Sequence, residues 1–131
     1  MHELQIKMRQ VHGIQVMELS GAIDALAFSG LSATLTRMME EGRPQVILDC
    51  TAVTYIGSAQ LKGLLDFASR LRAHDGDMKC VGVSPTIQHV ANLIAMGDLL
   101  EFHDELSGAL QAFHPQHEIL AQHAGANDYG G

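Results

Sequence analysis

In this 131-residue chain one hydroxyl stands where it could do chemistry, that of Ser58. Upstream, Val46-Ile47-Leu48 is a short apolar run of the kind a strand buried on both faces carries. Gly57-Ser58 breaks the pattern. Leu61, Leu64, Leu65, Ala68 and Leu71 then fall at offsets 0, 3, 4, 7 and 10, one face of a helix. A serine at that junction can accept a hydrogen bond from an amide two or three residues on, and so cap the helix. The same amides, at the positive end of the helix dipole, would also hold a phosphate on that oxygen. Spacing alone leaves both readings open.

Other reactive side chains are not arranged for catalysis or metal binding. Cys50 and Cys80 lack metal-ligand spacing and lie beside or within apolar strands, so both read as small reduced core residues of a cytosolic protein. Gly13, Gly21, Gly30 and Gly42 are isolated, so there is no phosphate-cradling loop. Ser58 is not in a GxSxG elbow, and no histidine has an obvious acid partner beside it. His114, His117 and His123 lie in a Gly-rich end without a core stripe, which offers no convincing metal site. The expectation is a protein without catalytic residues, metal or cofactor.

Composition narrows the partners. The net charge is −7, which repels phosphate backbones and anionic membranes. There is no Trp, with four Phe and two Tyr, too few to build a surface of stacking aromatics. Nucleic acid is therefore not an expected partner. No apolar run approaches the ~18 residues of a membrane span. The start, MHELQIKMRQ, lacks the apolar stretch of a signal peptide, so a cytoplasmic location is expected. Hydrophobic residues at 47% suit one packed domain, placed at 1–114, with 115–131 as a flexible tail.

The positioning elements follow in order. Leu4 to Arg9 alternates as a strand with one wet face, His12-Gly13 turns, and Ile14 to Leu19 returns, a hairpin. Asp24 can cap the next helix, which carries Leu31, Leu35, Met38 and Met39 on one side and ends at Gly42 and Pro44. Asp49 to Thr54 is polar enough to leave the sheet after the 46–48 strand. Met78 to Val83 is another apolar strand, and Ser84-Pro85 opens a helix. A short edge strand near 99–102 and a last helix with Leu106, Ala109, Leu110 and Phe113 inside complete the order β-β-α-β-α-β-α-β-α. This is an α/β chain with a mixed β-sheet and helices mainly on one face.

The stretch from Val46 to Leu65 resembles the signature of STAS domains, the anti-sigma factor antagonist family. There the strand ends in an aspartate, and an apolar-Asp-Ser-Ser/Ala-Gly-Leu motif follows. Tyr55, Ile56, Gly57, Ser58, Ala59, Gln60 and Leu61 occupy the matching places. Gly57 stands where the family usually has Asp, and Gln60 where it usually has Gly. Gly21-Ala22-Ile23-Asp24 resembles the family's Gly-Glu-Leu-Asp turn, and the likeness covers roughly residues 5–113. It implies the STAS fold and phosphorylation of Ser58. It implies a partner surface around Asp24, Tyr55, Gly57, Ser58, Ala59, Gln60 and Lys62. The implied partner is an anti-sigma factor or a serine kinase of the histidine-kinase-like ATPase class, with ATP belonging to the kinase. A second role found on this fold is that of constitutive accessory subunit in a lipid-transport ATP-binding complex.

Overall fold

The computed structural model describes residues 3–95 and 100–113. The expected tail and the expected helix end at Gly97 lie outside them. The elements are β1 (Gln5–Val11), β2 (Ile14–Ile23), α1 (Ala25–Glu40), β3 (Gln45–Ile56) and α2 (Ser58–Ala73). They continue with β4 (Asp77–Val81), α3 (Pro85–Ile94), β5 (Glu101–His103) and α4 (Leu106–Phe113). The strands form a single sheet in the order β1-β2-β3-β4-β5. β1 runs antiparallel to β2, and the remaining pairs are parallel. His12 and Gly13 both have positive φ, 50° and 82°, which matches the twist a two-residue hairpin turn needs.

The inner strands β2, β3 and β4 carry apolar residues on both sides where helices cover both faces. Met17 and Leu19, Val46 and Leu48, and Met78 and Cys80 face α1 and α2, whose Leu31, Leu35, Leu64, Ala68 and Leu71 close the main core. The alternate residues Ile14, Val16, Ile47 and Val81 face the other way and pack with Ala109 of α4. Three helices thus serve one face and α4 the other. Full burial of each large aliphatic side chain contributes about 1.5–3 kcal/mol, which is why these runs hold the sheet.

Two strand boundaries correct the sequence reading. Asp49 to Thr54 does not leave the sheet, because β3 continues to Ile56 and pairs Ala52 with Ser20, Val53 with Gly21 and Tyr55 with Ala22. The register shifts twice along this pairing. The polarity belongs to the half of the second face that α4 leaves open, where Asp49 and Thr51 sit beside Glu18 and Ser20. Asp49 also accepts from the Thr51 amide at 3.1 Å and hydroxyl at 2.7 Å. Conversely, β4 stops at Val81 rather than Val83. Gly82 takes φ +75°, and a Cβ there would press on the Thr51 backbone, so only glycine turns the chain at this point.

Candidate functional site

Asp24 and Ser58 open neighbouring helices at the carboxyl ends of β2 and β3. Ile23 pairs with Ile56, and the Gly57 amide donates to the Ile23 carbonyl at 3.2 Å. The residue before Asp24 is thereby tied to the residue before Ser58. Asp24 is the N-cap of α1, its carboxylate accepting from the Ala27 amide at 2.9 Å. A cap of this kind stabilises a helix by about 1 kcal/mol.

Ser58 is not a cap, contrary to one of its two readings. Gly57 has the extended backbone of an N-cap, φ −75° and ψ 154°, and Ser58 is already the first helical residue. No side-chain hydrogen bond closes the start of α2. The Ser58 side chain is exposed, and so are Ala59 and Lys62. Lys62 lies one turn on from Ser58 along the same side of the helix. It faces Asp66 at 3.9 Å with both side chains 66% exposed, a pair too solvated to hold it in place. Tyr55 is 46% exposed at the end of β3.

Gln60 and Gly57 form one arrangement. The Gln60 side chain folds back over Gly57, so that a Cβ at 57 would meet the Gln60 Oε1, with the Tyr55 hydroxyl 3.3 Å away. The φ of Gly57 is ordinary, and the atom in the way is the far end of the flexible Gln60 side chain, so a larger residue at 57 would displace it at little cost. The two departures from the family pattern thus lie against each other in space. Sequence reasoning passed over Leu26, which is 85% exposed in the first turn of α1, two residues beyond Asp24. Its signal was an apolar residue out of step with the Leu31, Leu35 and Met38 stripe.

The cysteines behave as unlike partners. Both are free; Cys80 is buried, but Cys50 is only partly so. The hydrogen bond that the protonated Cys80 thiol donates to Cys50, followed by burial, pushes that thiol well above its usual range. It stays protonated and is a poor nucleophile. Among the described residues no three His, Cys, Asp or Glu side chains gather as metal ligands, and no helix is long and apolar enough to cross a membrane.

The STAS domain family profile matches residues 5–109. The chain belongs to the STAS domain family. BtrV of Bordetella bronchiseptica, a protein whose name calls it an anti-sigma factor antagonist, is 24% identical over 110 residues, 84% of this chain and 95% of BtrV. Among solved structures, an anti-sigma factor antagonist from Mycobacterium paratuberculosis superposes with a TM-score of 0.72 at 23% identity. That match covers 84% of this chain and 93% of the other. The phosphorylated form of the Bacillus cell fate determinant SpoIIAA superposes with a TM-score of 0.65 at 19% identity, over 83% of this chain and 98% of its own. At these identities the structures establish the shared STAS fold.

Proposed function

We propose that this STAS domain is an anti-sigma factor antagonist whose docking is controlled by phosphorylation of Ser58. The surface formed by Asp24, Tyr55, Ser58, Ala59, Gln60 and Lys62, with Gly57 buried beneath it, binds an anti-sigma factor or a serine kinase of the histidine-kinase-like ATPase class. Binding sequesters that partner and frees a transcription factor. One observation carries the reading: Ser58 is an exposed hydroxyl on the first residue of a helix that no side chain caps. A phosphate there gains the unpaired amides of the first turn. It also adds about −1.5 to −2 charges in the middle of a docking surface, which breaks docking by desolvation and repulsion without altering the fold. A coupling of about 1–3 kcal/mol shifts affinity about 5–150-fold.

The test is calorimetric binding of Ser58→Asp and Ser58→Ala to the anti-sigma factor of the native host. Ser58→Asp should bind within that range more weakly, while Ser58→Ala binds as the parent does and takes no phosphate. Equal binding by Ser58→Asp, with no kinase of the host modifying Ser58, would sink the switch. The Gln60 carboxamide over Gly57 would then mark a surface built for permanent contact, as in an accessory subunit of a lipid-transport ATP-binding complex.

A further inference from the structure

Below the start of α2 a cavity of about 370 Å³ opens between the carboxyl ends of β3 and β4 and the helices α2 and α3. Its walls include Val53, Ile56, Leu61, Leu64 and Ile87, with Cys50 and Cys80 beside them. The crevice outside the carboxyl ends of parallel strands is where open α/β sheets take ligands, and the volume is within the range of small-molecule sites. None of its described lining residues carries a formal charge. Two other hollows of the described surface are different: one is lined by Lys7, Glu18 and Asp49, the other by Glu3 and Asp24.

That difference identifies the occupant. A charged group entering the cavity would lose its hydration and find no counter-ion. The cavity's polar handles are neutral hydroxyls on exposed residues. The Thr51 hydroxyl is already bonded to Asp49 at 2.7 Å, and the Ser84 hydroxyl accepts from the Ile87 amide at 3.3 Å, which leaves its proton to donate. Thr54 and Tyr55 bring further hydroxyls to the wall. Water against the apolar stretches between them is readily displaced by an apolar group.

We propose that this cavity is a binding site for a neutral, compact, largely apolar small molecule, an aromatic heterocycle or similar ring that hydrogen-bonds to the hydroxyls of its wall. Ile56 and Leu61 line the cavity and bracket Ser58 in sequence, so a bound ligand sets how the first turn of α2 is presented. Only that last coupling rests on the switch reading; the binding does not.

The experiment is a methyl NMR titration of the whole chain with indole, with benzoate as a charged ring of similar size. Methyls of Ile23, Ile56, Leu61 and Ile87 should shift along one saturable curve, while those of Val16 on the other face stay still. Benzoate should bind at least about tenfold more weakly. Val83→Phe, which fills the partly exposed wall, should weaken indole by at least about tenfold, and Ile87→Phe repeats the measurement if the first variant does not fold. Unsaturable shifts, equal shifts at Val16, benzoate as tight as indole, or unchanged affinity in a folded filling variant would each overturn the site. None of these titrations involves Ser58 or a partner protein, so failure of the switch leaves them unchanged.

Discussion

Ser58 stands exposed at a helix start that no side chain caps, whereas Lys79 lies almost fully buried between two acids. Its ammonium is 3.1 Å from Asp77 and 2.9 Å from Glu101, and 4.5 Å from the centre of the Phe113 ring. Asp77 also holds Arg72 at 2.8 Å, and Glu101 meets His103 at 2.6 Å. This network joins β4 and β5 to the end of α2 and, through Phe113, to α4. Buried charge is tolerable only when answered in this way. The start of α2 leaves its amides and hydroxyl to solvent, at little cost because water satisfies them. The comparison teaches that polarity serves closure at one place and availability at the other. Mutations should separate the two.

Lys79→Met should have the largest effect on stability, about 2 kcal/mol in denaturant unfolding, with partner docking unchanged. Breaking a fully buried pair costs about 3–5 kcal/mol, and here the loss is smaller because Glu101 is 43% exposed and Asp77 keeps Arg72. A docking loss equal to the stability loss would erase the contrast. Ser58→Asp should behave inversely. An acid in the first turn favours the helix dipole by about 0.3–1 kcal/mol, so this variant should melt slightly higher even while it docks poorly. A drop in melting temperature would show that the hydroxyl is structural after all.

The smallest effect concerns pH. Partial burial pushes the Glu101 carboxyl up, but its bonds to Lys79 and His103 outweigh this and hold it below the usual carboxylate range. A carboxyl lowered in the folded state contributes stability that is present above its unfolded pKa and lost as pH falls through the folded one. Glu101→Gln should therefore flatten the acid limb of a stability curve below about pH 4.5 and leave its neutral plateau shape unchanged. An unaltered acid limb would mean that the pair is already solvated.

Much of this was legible in the chain because helix stripes and buried strands have distinct periods. The order of elements, the inward face of α2 and the cap at Asp24 all follow from residue types that have one good use. The end of β3 was not legible, since a strand half-covered by a helix is polar beyond the covered part and looks like a loop. Only the cap reading of Ser58 was off by one position: serine is a preferred cap, and nothing in sequence says that the glycine before it takes the post instead. The pairing of Gly57 with Gln60 and the burial of Lys79 depend on what lies across space. Glu101 answers Lys79 from 22 residues away.

The sheet's spatial order is also its chain order, β1-β2-β3-β4-β5. During synthesis each new strand can therefore join the strand made just before it, closing a tight turn for β2 and a loop of about one helix for each later strand, at modest entropic cost. The second face is treated differently. Ile14, Val16 and Ile47 are made early, but their cover in α4 comes only at residues 106–113. A nascent chain that stalls after β3 presents a bare apolar sheet, so premature termination should give sticky fragments rather than a smaller working domain.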